Sequence, residues 1–158
     1  APAAAFADEK RDFKIPVPAD LHLPYHERTP LAVPGGQTIT TGGLVALMTG
    51  ARPVVVDVRT GDGRGGTLPG ALWLKGAGTL GAPIDALFGR MMEAIAPDKA
   101  QPVVFFCTGP DCWLSWNASL RAVRLGYTAV HWYRGGHAAW VAAKLPLVQS
   151  ELVGNLDP

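Results

Sequence analysis

The sequence predicts an α/β domain three layers thick, with a central parallel sheet of about five strands and helices on both faces. Two short buried strands, Val54 to Val58 and Val103 to Cys107, are built from β-branched and aromatic residues that suit a pleated, covered sheet. Between and after them the apolar spacing changes to the helical period, over Ile84 to Ile95 and again over Trp113, Trp116, Leu120 and Val123. Strands alternating with helices of this length are the pattern of right-handed crossover units on a parallel sheet.

Taken in order, a short strand is predicted near Ile39, followed by a helix capped by Thr41 and running through Met48. The strand Val54 to Val58 then enters a glycine-rich loop, and Ala71 to Leu74 forms another strand. The helix Ile84 to Ile95, the strand Val103 to Cys107 and the helix Trp113 to Leu125 come next, with Gly126 as the stop. Ala129 to Trp132 is the last predicted strand, and Gly135 and Gly136 open a final helix from His137 to about Lys144, ended by Pro146.

The regular pattern divides the chain into an arm (1–36), a domain (37–148) and a tail (149–158). The arm holds six of the fourteen prolines and has no sustained periodicity, so it reads as extended chain. Its spaced apolar residues Ile15, Val17, Leu21, Leu23 and Tyr25 predict that it packs over the domain. Ala1, Pro2, Ala3, Ala4 and Ala5 resemble the small-residue region around a signal-peptide cleavage site, and an exported, periplasmic protein is expected.

Composition narrows the function. The chain has 158 residues, 48% hydrophobic and 17% charged, enough for one domain with its own core. A net charge of +1 without a lysine or arginine run argues against a nucleic-acid partner, and no apolar stretch reaches the length of a membrane span. The histidines His22, His26 and His131 have no ligand spacing, two cysteines do not make a zinc knuckle, and Cys-x-x-Cys-His is absent. No metal and no cofactor are expected.

The chemistry concentrates at residues 107–113. A buried strand ends at Cys107, a tight polar loop of Thr108, Gly109, Pro110 and Asp111 follows, and Cys112 and Trp113 open the next helix. In an open α/β sheet, ligands bind outside the carboxyl ends of the strands, where loop N–H groups and a helix start favour negative charge. That field lowers a cysteine pKa from its free value of about 8.5, so Cys107 is the predicted nucleophile. Cys112 lies where it can attack a persulfide or mixed disulfide on Cys107, form a static bridge with it, or pack as a small buried hydrophobe.

Three motifs in sequence then resemble the rhodanese-like, or sulfurtransferase, family over residues 38–147. They are Val56, Asp57, Val58 and Arg59 followed by Leu68, Pro69, Gly70 and Ala71; the Phe105 to Cys112 loop; and Tyr133, Arg134, Gly135, Gly136 and His137 leading to Leu145 and Pro146. The entry at 34–41 and the run 112–118 are similar to an exported subgroup associated with bacterial PQQ-dependent catabolism and marked by Cys-x-x-Cys-Trp. Gly109 stands at that motif's first cysteine, while Cys112 and Trp113 match its end.

The resemblance implies sulfane-sulfur transfer, with Cys107 carrying a persulfide, Thr108 to Cys112 as its cradle, and a small sulfur donor or thiol acceptor, including a periplasmic protein thiol, as partner. Related Cys-x5-Arg phosphatase loops need an arginine at 113, and Trp113 disfavours that activity. Asp111 repels a dianionic donor such as thiosulfate unless Arg59, Arg64 or Arg134 reaches the mouth. Asp57 and Arg59 read as a structural brace, and His137 as a local cap or a base beside the site. Trp73, Trp132 and Trp140 are expected in the core, whereas Trp113 and Trp116 border the loop. The rivals are a non-catalytic accessory module serving a periplasmic dehydrogenase or cytochrome, and a thiol-disulfide exchanger.

Overall fold

The computed structural model describes residues 8–157. The alanine-rich segment read as a cleavage region lies outside them. The elements are β1 (Gln37–Ile39), α1 (Thr41–Gly50), β2 (Val54–Asp57), β3 (Leu72–Lys75), α2 (Ala82–Ile95), β4 (Val103–Phe106), α3 (Leu114–Arg124), β5 (Val130–Tyr133), α4 (Gly136–Ala142) and β6 (Leu152–Asn155). All strand pairs are parallel, in the order β1-β5-β4-β2-β3-β6.

The sheet thus has six strands where about five were expected. The difference is β6, which lies in the segment read as a tail and pairs with β3 through Leu152, Gly154 and Asn155. The α1 cap also moves by one residue. Thr40, not Thr41, accepts from the Gly43 N–H at 3.1 Å, while Thr41 is already helical.

Alternation along β4 builds the three layers. Val103 and Phe105 face one side with Val56, Phe88 and Met92 of α2, and Leu114, Ala118 and Ala122 of α3. Val104 and Phe106 face the other side with Leu44 of α1 and Ala139 and Trp140 of α4. Because both faces are covered, every residue of β4 is buried.

The arm completes a third cluster. Val33 is buried against Trp113, Trp116, Leu120 and Trp132, with Ile15 and Leu21 packed on the same group. Extended chain makes few internal hydrogen bonds, so the polar groups that the arm buries need partners on the domain. Asn117 meets that need at one point, accepting from the His22 N–H at 2.9 Å and donating to the His22 carbonyl at 3.1 Å. Trp116 Nε1 donates to the Ala32 carbonyl at 3.0 Å.

Candidate active site

β4 delivers Cys107 to the carboxyl edge of the sheet, and residues 107–113 turn back to start α3. Cys107 and Cys112 are joined by a disulfide, with a Cα separation of 6.2 Å. Both are buried, whereas Thr108 and Asp111 are exposed. The two sulfurs are therefore brought together, and the solvent-facing part of the loop is the stretch between them.

The loop is held from two sides. From α4, the His137 N–H donates to the Cys107 carbonyl at 2.9 Å and the Ala138 N–H to the Thr108 carbonyl at 2.8 Å. This approach depends on Gly136, which sits at φ +60°, and a Cβ there would lie 2.5 Å from the Cys107 carbonyl oxygen. From the arm, Thr29 donates its N–H to the Pro110 carbonyl at 3.1 Å and its hydroxyl to the same oxygen. Within the loop, the Cys112 N–H donates to the Gly109 carbonyl at 3.1 Å.

Trp113 is fully buried instead of lining an open pocket. Its backbone N–H donates to the Tyr25 carbonyl at 2.7 Å and its indole N–H to the Arg28 carbonyl at 3.2 Å. The ring stacks on His22 at 3.8 Å between centroids and meets Trp116 edge-on at 5.0 Å. The position that would carry the arginine of a Cys-x5-Arg loop is thus occupied by an apolar anchor for the arm.

Of the three arginines named as candidates for an anionic donor, Arg59 and Arg134 are committed to internal partners, whereas Arg64 shares a cleft with Thr108 of the cysteine loop. Arg59 forks onto the buried Asp57, Nη2 to Oδ2 at 2.8 Å and Nε to Oδ1 at 3.0 Å, and gives Nη2 also to the Gly66 carbonyl at 2.7 Å. Thr67 adds its hydroxyl to the same carboxylate at 2.9 Å, so the pair braces β2 to the following loop. Arg134 is buried beneath the arm, donating Nη2 to the Thr29 carbonyl at 2.9 Å, Nε to the Thr29 hydroxyl at 3.2 Å and Nη1 to the Glu9 carbonyl at 3.2 Å. Burial lowers its pKa, with the nearby Asp12 and Asp8 carboxylates acting against that. Arg64 is exposed and paired with Asp62 at 3.3 Å.

His137 follows the loop-binding Gly136, and its Nε2 is buried without a hydrogen-bond partner among the described residues. Burial holds its pKa below the ordinary value, helped by the Arg59 charge, while the Gly65 and Gly66 carbonyls and Asp57 act in the opposite sense. A neutral imidazole is the consequence near pH 7. Beside it, a cleft of 180 Å³ is lined by Arg59, Thr60, Asp62, Arg64, Trp73 and Thr108, among others. Thr108 thus connects the cysteine loop to that cleft.

Residues 8–29 contribute Glu9, Phe13 and Thr29, which the sequence did not single out, and Tyr25, which it marked only as part of a packed arm. Glu9 is buried and its carboxylate accepts from the Thr41 N–H at 3.0 Å and the Thr41 hydroxyl at 2.7 Å, at the start of α1. Phe13 receives the guanidinium groups of Arg28 and Arg134, each 5.0 Å from its centroid. Thr29 and Tyr25 touch the cysteine loop directly. Their only sequence signal was the spacing of apolar residues that made the arm a packed segment.

The structure thus places a disulfide-bonded cysteine pair in the loop between the central strand β4 and the helix α3 of a parallel α/β sheet. The chain belongs to the rhodanese-like domain family, whose model matches residues 40–143. None of the curated proteins matches it. Among solved structures, it is similar to a thiosulfate sulfurtransferase from Pseudomonas aeruginosa, at 25% identity and TM-score 0.55, over 74% of this chain and 21% of that one. The chain therefore spans about a fifth of that enzyme's length.

It also shares its fold with a Rhodopseudomonas palustris protein of unknown function described as a possible tyrosine phosphatase, at 24% identity and TM-score 0.54, covering 72% of this chain and 85% of that one. The polysulfide-sulfur transferase homodimer of Wolinella succinogenes matches at 16% identity and TM-score 0.54, covering 72% and 79%. Family and neighbours together support a sulfurtransferase-type function in general terms.

Proposed function

We propose that this domain transfers sulfane sulfur through a persulfide on Cys107, with Cys112 as the resolving thiol. The observation that carries the reading is the Cys107–Cys112 bridge at the end of β4 in a rhodanese-like fold. The cycle starts when a thiol reductant takes the bridge to two thiols, supplying two electrons. The Cys107 thiolate then accepts a sulfur atom from a polysulfide or persulfide donor, which leaves one sulfur shorter. Either an acceptor thiolate takes that outer sulfur, restoring the Cys107 thiolate, or the Cys112 thiolate attacks Cys107 Sγ. In the second route the Cys107–Cys112 bond forms and hydrosulfide leaves.

The electrostatics favour a persulfide, polysulfide or protein thiol over thiosulfate as partner. Asp111 is exposed on the loop, Arg59 and Arg134 are tied to Asp57 and to the arm, and Arg64, the arginine left in the cleft beside Thr108, is paired with Asp62. A periplasmic site of action fits this reading, since an oxidising compartment keeps the bridge closed until a specific thiol opens it. An accessory role beside PQQ-dependent dehydrogenases rests on the motif resemblance at 112–118.

The test is anaerobic. Protein reduced and freed of reductant is mixed with inorganic polysulfide, and the Cys107–Cys112 peptide is mapped. The bridge should re-form in the native sequence, and Cys112→Ser should instead retain an extra sulfur on Cys107. Two free, unmodified thiols in a folded protein would contradict the cycle and favour the non-catalytic accessory module, for which the burial of both sulfurs is the supporting observation.

A further inference from the structure

The peptide units of the cysteine loop are oriented by partners outside the loop. In a trans peptide the N–H points opposite to the C=O, so fixing one fixes the other. The Cys107 and Thr108 carbonyls are drawn to the N–H groups of His137 and Ala138, which turns the Thr108 and Gly109 N–H groups away from α4. The Pro110 carbonyl is drawn to the arm by both donors of Thr29, which turns the Asp111 N–H away from the arm. Among the described residues, none of these three N–H groups donates a hydrogen bond within the protein.

Thr29 is itself held in place. It is fully buried, its carbonyl and hydroxyl oxygens both accept from Arg134, and Arg134 has further bonds to the Asp8 and Glu9 carbonyls. Arg134 follows β5 directly, so the line from sheet to loop runs Arg134, Thr29, Pro110 carbonyl, Asp111 N–H.

We propose that Thr29 of the N-terminal arm is a positioning residue of the site: it sets the Pro110–Asp111 peptide so that the Asp111 N–H joins those of Thr108 and Gly109 in stabilising negative sulfur on Cys107. The role rests on Cys107 being the working thiol, as proposed above. It makes the arm part of the site, because the domain without the arm would have only the two donors set by α4. Backbone N–H groups hold a thiolate or persulfide without adding charge, so they work beside the exposed Asp111 carboxylate.

The experiment reads thiolate stability directly and does not need sulfur transfer to occur. In full-length Cys112→Ser protein, so that one thiol remains, the rate of Cys107 alkylation by iodoacetamide is measured against pH. Three arm variants grade the donors: Thr29→Ser keeps both, Thr29→Val keeps the N–H alone, and Thr29→Pro removes both while leaving the carbonyl that Arg134 binds.

The apparent pKa of Cys107 should be unchanged in Thr29→Ser and raised in Thr29→Val. It should rise furthest in Thr29→Pro, by about one unit, a tenfold loss of thiolate below the pKa. Melting curves establish which variants are folded, and if Thr29→Pro is not, the Val and Ser pair decides. An unchanged pKa across the folded variants overturns the proposal, even if Cys107 carries sulfur. A graded pKa in a protein that never carries sulfur upholds the positioning role and removes the transfer reading alone.

Discussion

The backbone N–H of Trp113 donates to the carbonyl of Tyr25 at 2.7 Å, across 88 residues of sequence, and this bond joins the arm to the start of the helix that follows the cysteine loop. The same residue is fully buried and stacks on His22. Position 113 therefore serves as the arm's anchor in this chain.

Trp113→Arg is the change that would complete a Cys-x5-Arg loop, and it should not create a phosphatase. A guanidinium placed among Trp116, His22 and Val33 loses the aromatic stacking, and the Glu27 carboxylate beside His22 is already engaged by that imidazole. The expected cost is about 3 kcal/mol or more, read by urea unfolding, with no hydrolysis of an aryl phosphate. A folded variant of native stability that hydrolyses the ester would contradict this placement.

Asp57 and Arg59 form a buried brace, so breaking it acts first on stability. Asp57→Asn leaves the Arg59 guanidinium without its counter-charge, and a loss of about 3–5 kcal/mol is expected in denaturant titration. If Asp57→Asn keeps its stability while losing sulfur transfer, the pair is a catalytic unit instead.

The histidines give a pH dependence whose sign is fixed. Burial lowers the folded-state pKa of both His137 and His131 below the ordinary 6.5, and Arg59 adds to the effect at His137. In the window below 6.5 and above the lowered values, the unfolded chain binds more protons than the folded one. Their contribution to stability is therefore present near neutrality and lost as pH falls through that window. Unfolding midpoints measured between pH 7 and 5 should decline, and His137→Gln should flatten the decline in part, leaving the share due to His131.

Gly136 carries a conformational demand that its neighbour Gly135 does not share. Its φ of +60° and the 2.5 Å approach to the Cys107 carbonyl leave no space for a methyl group. Gly136→Ala should cost about 1–3 kcal/mol and weaken the two α4 bonds to the loop, seen as faster hydrogen exchange at His137 and Ala138. Native exchange rates in that variant would show that α4 does not hold the loop through these bonds.

The parts of the chain legible in sequence are those whose physics is local or periodic. Val103 to Phe106 read as a buried strand because every position is apolar, and α3 read as a helix because Trp116, Leu120 and Val123 fall on one stripe. The cysteine loop stood out because a strand and a helix flank it so closely. By contrast, β6 was read as tail because Leu152, Val153, Gly154 and Asn155 carry little β signal, and pairing with β3 supplies the order.

The arm's contacts were illegible for a different reason. Thr29 meets Pro110 across 81 residues and Arg134 across 105, through a pair of hydrogen bonds in each case that follow no period. Arg134 was weighed as a residue at the mouth, and nothing in the Tyr133 to His137 run signals that it turns under the arm. The Asp57 and Arg59 brace was legible because the two residues are neighbours in sequence as well as in space.

The central claim is that Cys107 can carry sulfur once its bridge is opened, and the most direct measurement is an intact mass. Full-length protein is reduced, freed of reductant, exposed anaerobically to a low-molecular-weight persulfide in the Cys112→Ser form, and weighed without further reduction. The account predicts a gain of one sulfur atom, mapped to Cys107 and removed by a dithiol, and no gain in Cys107→Ser with Cys112 intact. An unchanged mass in a folded, reduced Cys112→Ser protein would contradict it.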